Sequence, residues 1–169
     1  MITDLDHIRN LSSKADSLFK DFRSNAKKIR VKKFDELAAP VVEQVTKNID
    51  CTKCGNCCKI QEPGVTEAEI KILANQKKMD PDDFKTSFVA YDHQHVSFLC
   101  KQPCIFLDGT MCSVYTQRPN SCADFPGLHR PGLKWRITQM QENYGICPIV
   151  FNVVEELKER LGFKEAVSL

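Results

Sequence analysis

The stretch Cys51-Thr52-Lys53-Cys54-Gly55-Asn56-Cys57-Cys58, written CTKCGNCC, decides how this chain is read. Its C-x-x-C-G step, Cys51 to Gly55, suits a backbone that turns around a metal with amide N–H groups directed at the sulfurs, and glycine removes the Cβ that would obstruct the turn. The continuing C-x-x-C-x-x-C series matches the opening of the bacterial ferredoxin run, in which three thiolates of one loop take three corners of a [4Fe–4S] cluster. The match stops at Cys58, which follows Cys57 directly where that run needs three further residues and a Cys-Pro. Side chains of adjacent cysteines are expected to diverge. Two metal centres, or one polynuclear centre, follow from that divergence more naturally than one tetrahedral ion.

Five more cysteines, Cys100, Cys104, Cys112, Cys122 and Cys147, supply the complement and bring the total to nine. The first residues, MITDLDHIRNLSSKADSLFK, are acidic from the start and contain no apolar core of a secretion signal, which predicts a cytoplasmic protein. Cytosolic thiols are kept reduced, so ligation is the expected use of these cysteines and disulfides are not. Closing the intervening loops on metal is expected to supply much of the folding free energy. Structural zinc is worth about 10–16 kcal/mol apparent in peptides, against about 5–15 kcal/mol of net stability for a domain. On that reasoning the cysteine region is disordered without metal.

Outward from the cysteines, the pattern is mainly helical. Ile8, Leu11, Ala15, Leu18, Phe22, Ala26 and Ile29 recur at spacings of three and four and predict one long amphipathic helix. A second helical stretch carries Phe34, Leu37, Val41, Val42, Val45 and Ile49, with Pro40 marking a kink or a fresh start. Thr66 and Glu69 form a capping box, Asp80-Pro81 starts another helix, and Pro148 opens a last one that Gly162 stops. Asp108-Gly109 signals a tight turn between Cys104–Leu107 and Met111–Tyr115, a β-hairpin with Cys104 and Cys112 at its open end or across the ladder. His95 to Leu99 is strand-like, and Gln117 to Gly132 reads as loop with one helical turn. The fold class is therefore α+β, mainly α: a small antiparallel hairpin and helices around a cysteine-lined metal centre. Residues 1–48 read as an N-terminal helical extension and 49–169 as the cysteine-cluster domain. The extension is a stabilising appendage by default, with a lid, a dimer surface or a docking face for a protein partner as the other uses.

The strings CTKCGNCC, CIFLDGTMCSVY and QRPNSCADFP, followed by the Cys-Pro at Cys147, together resemble the cysteine-cluster family of zinc- or iron-chelating domains with the signature C-x-x-C-x-x-C-C. The resemblance spans about residues 50 to 150. By matching position it implies eight ligands: Cys51, Cys54, Cys57, Cys58, Cys104, Cys112, Cys122 and Cys147. Cys100 is then a spectator. It further implies zinc or iron as the cofactor, mononuclear, dinuclear or as an iron–sulfur cluster. Members include flagellin lysine N-methylases and proteins of unassigned activity, so the resemblance implies chelation and leaves the reaction class open. The chain departs from the pattern at Ala123, where members often carry arginine.

The other residues bound the function. The formal net charge of +2, with 27% charged residues, gives no reason to expect nucleic acid or a membrane, and neither is an expected partner. The run Lys27, Lys28, Arg30, Lys32, Lys33 reads as a solvated helix face that is also able to dock an anionic partner. His93 and His95, two apart on a strand-like stretch, are able to offer imidazoles to a metal, with polar positions beside the site or in solvent as the default; His129 is a further candidate ligand, and Arg118 either donates to the thiolates or pairs with Asp124. Trp135 and Tyr144 read as core aromatics. The seven glycines include no G-x-G pair that could open a dinucleotide or adenosine loop, and the radical C-x-x-x-C-x-x-C spacing is absent. Two function classes remain: a zinc module with closed coordination that serves protein interaction, and an iron or iron–sulfur enzyme with an open position, an oxidoreductase or a methyl-transfer component.

Overall fold

The computed structural model describes residues 1–13 and 15–162. In chain order its elements are α1 (Leu5–Ser12), α2 (Ala15–Lys27), α3 (Val31–Asn48), α4 (Asn56–Ile60), α5 (Glu67–Gln76), α6 (Pro81–Phe88), β1 (Val89–Tyr91) and β2 (Ser97–Leu99). There follow β3 (Leu107–Asp108), β4 (Met111–Cys112), α7 (Asn120–Asp124), α8 (Ile137–Tyr144) and α9 (Pro148–Arg160). The protein is thus mainly α, with two small antiparallel strand pairs. The chain divides into two compact units: Met1–Asp50 with Pro126–Leu169, and Cys51–Phe125.

The first unit is a helical packing in which α3 lies along α9 and α8 lies between α2 and α9. Of the apolar stripes read from the sequence, Ile8, Phe22, Phe34, Val41 and Leu157 are fully buried, whereas Leu11, Leu18, Ile29 and Leu37 are half-buried and Phe19, outside the expected stripe, is fully buried. Edge-to-face contacts tie Phe19 to Tyr144 and Phe22 to Phe34 at centroid distances of 5.2 and 6.2 Å. The N-terminal helices therefore spend their apolar faces on their own unit. The single long helix expected over the first thirty residues is two, α1 and α2. The Ser12 and Ser13 hydroxyls donate back to the carbonyls of Arg9 and Asn10, a competing pattern that favours a helix end. Helix α3 runs through Pro40. Helix α9 starts with Pro148 in its first turn and is followed by Gly162 at φ 72°, as the Pro and Gly signals predict. Trp135 is not a core residue. It is 71% exposed, whereas Tyr144 is buried.

The second unit has its own apolar core: Val65, Ile70, Leu73, Ala74, Phe84, Leu99, Phe106 and Val114, with Cys104 and Cys112 packed against it. Helix α5 begins at the Thr66–Glu69 capping box and α6 at Asp80, whose carboxylate accepts the Asp82 amide at 2.8 Å. Strand β1 pairs with β2 in the register Val89↔Leu99, Ala90↔Phe98, Tyr91↔Ser97. The expected hairpin forms with Leu107↔Cys112 and Asp108↔Met111, so Gly109 and Thr110 make the turn one residue later than Asp108-Gly109 implied.

Candidate metal centre

Cys51, Thr52 and Lys53 form one 3-10 turn, and the amides of Cys54 and Gly55 both donate to the Cys51 carbonyl, at 3.1 and 3.2 Å. These two amides close the turn on backbone oxygen, while amide-to-sulfur bonds of the expected kind reach Cys104 from Phe106 and Cys112 from Val114. Gly55 then takes φ 60°, a left-handed conformation that starts α4 and carries Cys57 and Cys58. A β-carbon on Gly55 would stand 2.6 Å from the Thr110 carbonyl oxygen and 2.9 Å from Thr110 Cα. Glycine is required here for two reasons at once: the backbone angle, and the close seat of the loop on the β3–β4 turn. The Cys104 amide donates to the Cys58 carbonyl at 2.7 Å, and Gln102 Nε2 to the Ile60 carbonyl at 3.0 Å, so the segment before β3 is laced to α4.

Cys122 is placed by α7, and α7 is held by α5. One Glu69 carboxylate oxygen accepts the Thr66 amide at 2.7 Å and its hydroxyl at 2.9 Å, while the other accepts the Asn120 amide at 2.7 Å. Ser121 Oγ donates to the Gly64 carbonyl at 2.7 Å. Although burial opposes it, hydrogen bonds from Asn120 and Thr66 hold the Glu69 carboxyl below its ordinary range. The sequence shows Glu69 as half of a capping box. Its second task, 51 residues away, has no local signal.

Electrostatics show which sulfurs are neighbours. The Cys58 thiol is pushed far up, first by its hydrogen bond with Cys57, then by burial and by the Cys57 charge. The expected divergence of Cys57 and Cys58 is therefore not found, because the first turn of α4 lets the two thiols meet. Burial raises Cys104, and the charges of Cys58 and Cys112 add to it. Cys112 rises for the same reasons, burial and then Cys58. Cys122 is pushed up to about 12 by burial and by Cys58, Cys104 and Cys112. Cys58 is thus the common neighbour of thiols contributed by four separate segments. Two cations act in the opposite sense: Lys77 on Cys104 and Arg118 on Cys112. Lys77 Nζ donates to the Ile105 carbonyl at 2.8 Å, and Arg118 lies 3.8 Å from the Tyr115 ring centroid while donating to its carbonyl.

Other candidates are carried by other elements. Cys100 ends β2, its amide on the Phe88 carbonyl. His93 and His95 are exposed on the turn between β1 and β2. Cys147 belongs to the helical unit, where it is 6% exposed and precedes α9 with its amide on the Asn143 carbonyl. Among the described residues, no group of three or more His, Cys, Asp or Glu side chains stands close enough to hold a metal ion. The sulfurs around Cys58 are grouped at the range where they feel one another's charge, not drawn in around a common point.

Residues 50–148 match the CxxCxxCC family, described as a putative zinc- or iron-chelating domain. The chain belongs to that family. The matched segment begins one residue before Cys51 and ends one after Cys147, so every cysteine of the chain lies inside the CxxCxxCC region. No curated protein and no solved structure matches the chain.

The donor chemistry fits a CxxCxxCC metal. Neutral thiols that are buried together resist ionisation, because each thiolate is opposed by low dielectric and by its neighbours. A bound cation reverses both terms, since coordinating thiols are deprotonated outright. Sulfur-rich sets of this kind select zinc, copper(I) or iron–sulfur centres over magnesium or calcium.

Proposed function

We propose that the protein chelates zinc or iron through thiolates of its Cys51–Phe125 unit, in one centre built around Cys58. Cys57, Cys58, Cys104, Cys112 and Cys122 are its nucleus, with Cys51 and Cys54 completing it from the adjoining turn. The observation that carries the reading is that these cysteine segments are held together: the Cys104 amide donates to the Cys58 carbonyl at 2.7 Å, Gly55 seats the loop of residues 51–58 on Thr110 beside Cys112, and the Cys104, Cys112 and Cys122 thiols are raised by burial with the Cys58 charge adding to each. Adjacent Cys57 and Cys58 thiols in contact favour a shared polynuclear centre over two separate four-cysteine sites. Cys147 is the eighth ligand that the resemblance implies, and elemental analysis of Cys147→Ser tests it.

When bound, the metal supplies charge neutralisation and cross-linking. The chain's part is to present soft donors on an apolar bed, with Glu69 and Gly55 fixing the segments that carry them. A chelating thiol set needs a reducing compartment, which supports a cytoplasmic location. The deciding measurement is elemental analysis with an ultraviolet–visible spectrum on protein purified without oxygen. Colourless protein with stoichiometric zinc identifies the zinc form, and broad visible absorption with iron the iron form. Protein that takes up neither metal, with all nine thiols free to titrate, overturns the proposal.

A further inference from the structure

The helical unit carries a basic, tryptophan-edged groove that no part of the metal reading uses. Two runs of cations distant in sequence are laid side by side there. The first is Lys27, Lys28, Arg30, Lys32 and Lys33, at and beyond the end of α2; the second is Arg130, Lys134 and Arg136, before α8. Four hydrogen bonds hold them together. Asp35 accepts the Gly132 and Leu133 amides at 2.7 and 3.0 Å, and Lys134 Nζ donates to the carbonyls of Lys27 and Ile29. The carboxylates within residues 22–36 are Asp35, engaged as above, and Glu36, which lies 3.8 Å from Lys33; residues 127–138 contain none. Arg23, Lys27 and Lys134 have no ion-pair partner among the described residues.

Between the runs lies a groove of about 120 Å³ lined by Arg23, Lys27, Lys134, Trp135 and Thr138 over a floor of Ala26 and Ile137. Trp135 is 71% exposed at its edge, with Lys134 Nζ 5.1 Å from the ring centroid. We propose that this groove binds single-stranded nucleic acid, its phosphates on the Arg23, Lys27 and Lys134 side and a base stacked on Trp135. The charge selects an anion, and the ring selects among anions. An acidic peptide would use the cations and leave the ring without a role. A membrane surface would need more apolar area than this unit exposes, since Met1 is its other exposed large hydrophobic among the described residues. A base with its phosphate uses both features, because stacking on an aromatic ring is tolerant of sequence and a basic groove tracks the backbone.

The chain contains one tryptophan, so its intrinsic fluorescence reports the site directly. The test titrates full-length protein with a single-stranded 12-nucleotide oligothymidylate and follows both tryptophan quenching and the anisotropy of a labelled oligonucleotide. Quenching is expected, with affinity falling about twentyfold between about 50 and 200 mM salt if three phosphates are neutralised. Trp135→Ala, at an exposed position that leaves the core intact, should weaken binding about tenfold or more, and Lys27→Glu with Arg23→Glu should weaken it while flattening the salt slope. Absence of quenching and of an anisotropy change, or unaltered binding by Trp135→Ala, overturns the proposal. So does equal or stronger quenching by polyglutamate or by phosphatidylserine vesicles, which would assign the groove to an acidic protein or to a membrane.

Discussion

Gly55→Ala isolates the seat of the cysteine loop on the β3–β4 turn, and its cost can be worked from two terms. The first is conformational: alanine at φ 60° sits in the left-handed region, which costs an L-residue about 1–2 kcal/mol. The second is steric. The new β-carbon would lie 2.6 Å from a backbone carbonyl oxygen, which no side-chain rotation relieves, so loop and turn must part; overpacking of this kind costs about 1–3 kcal/mol. Alanine also stiffens the unfolded chain, which returns about 0.4–1 kcal/mol. The net expectation is a loss of about 1–4 kcal/mol.

Gly109→Ala is the matched control. Gly109 has nearly the same angle, φ 59°, and nothing within 4 Å of its would-be β-carbon. It carries the conformational cost alone, about 1 kcal/mol or less after the unfolded-state correction. Urea denaturation of the metal-free variants should therefore give a midpoint for Gly55→Ala lower by about 1 M than for Gly109→Ala, with a slope of about 1–3 kcal/mol per molar. Metal competition should add a second difference. Gly55 lies between Cys54 and Cys57, so parting the loop from the turn displaces sulfurs, and zinc or iron affinity should drop at least tenfold in Gly55→Ala while staying at the wild-type value in Gly109→Ala. Equal midpoints and equal metal affinities for the two variants would show that contact with Thr110 does not position the loop.

Further outcomes follow from the same geometry. Cys58→Ser should abolish metal uptake and Cys54→Ser weaken it, whereas Cys100→Ser should leave the metal content unchanged; equal loss from Cys54→Ser and Cys100→Ser, read by elemental analysis, would break the assignment. Glu69→Ala removes the acceptor of the Asn120 amide and should cost about 1 kcal/mol in thermal or urea stability and speed metal release, measured by chelator-driven dissociation. In the metal-free protein, Cys122 has a folded pKa raised to about 12 from 9.0, so the folded state binds more protons than the unfolded state between those values. Its contribution is complete below about pH 9 and disappears as pH rises toward 12; melting temperature should fall across that window in metal-free protein, and a flat profile would contradict the burial of Cys122. Because binding displaces thiol protons, metal affinity should decrease steeply on acidification, as competition titrations at successive pH values would show.

Features legible in the sequence were those whose physics is local. The Thr66–Glu69 box, the Asp80-Pro81 start and the Pro148 to Gly162 helix are each specified within a few residues, and each was found where the pattern put it. Strand β1 was missed because Phe88-Val89-Ala90-Tyr91 continues the apolar run of α6; only its pairing with Ser97–Leu99 makes it extended. Helix α8 had a readable signal in Ile137, Met140 and Tyr144, all buried, but the expectation of a core Trp135 drew the reading elsewhere. The cysteines themselves announced a thiol centre. Their grouping around Cys58 and the reach of Glu69 to Asn120 depend on segments tens of residues apart, and no spacing rule encodes that. The basic run of residues 27–33 was legible as a face able to dock an anion, but its pairing with the 130–136 segment was not, because hydrogen bonds between residues 97 to 107 positions apart make it.

The apolar core of the Cys51–Phe125 unit changes what metal has to do. The crowded cysteines predict a region that draws much of its folding free energy from metal. Yet Val65, Ile70, Leu73, Phe84, Leu99 and Phe106 are buried together, and full burial of such side chains is worth about 1.5–3 kcal/mol each before conformational entropy is charged against it. Cys104 and Cys112 lie on the margin of this core, not at its centre. The core therefore organises α5, α6 and the strand pairs, and the thiols occupy the edge where α4, β4 and α7 meet it. At that edge the sulfur-bearing segments are held by a few hydrogen bonds: the Cys104 amide on Cys58, Gln102 on Ile60, the Asn120 amide on Glu69 and Ser121 on Gly64. Each is worth about 1 kcal/mol net. A cation bound to several of these thiolates would contribute many times that amount at the same positions. Metal would then act on the loops that carry the sulfurs far more than on the helices behind them.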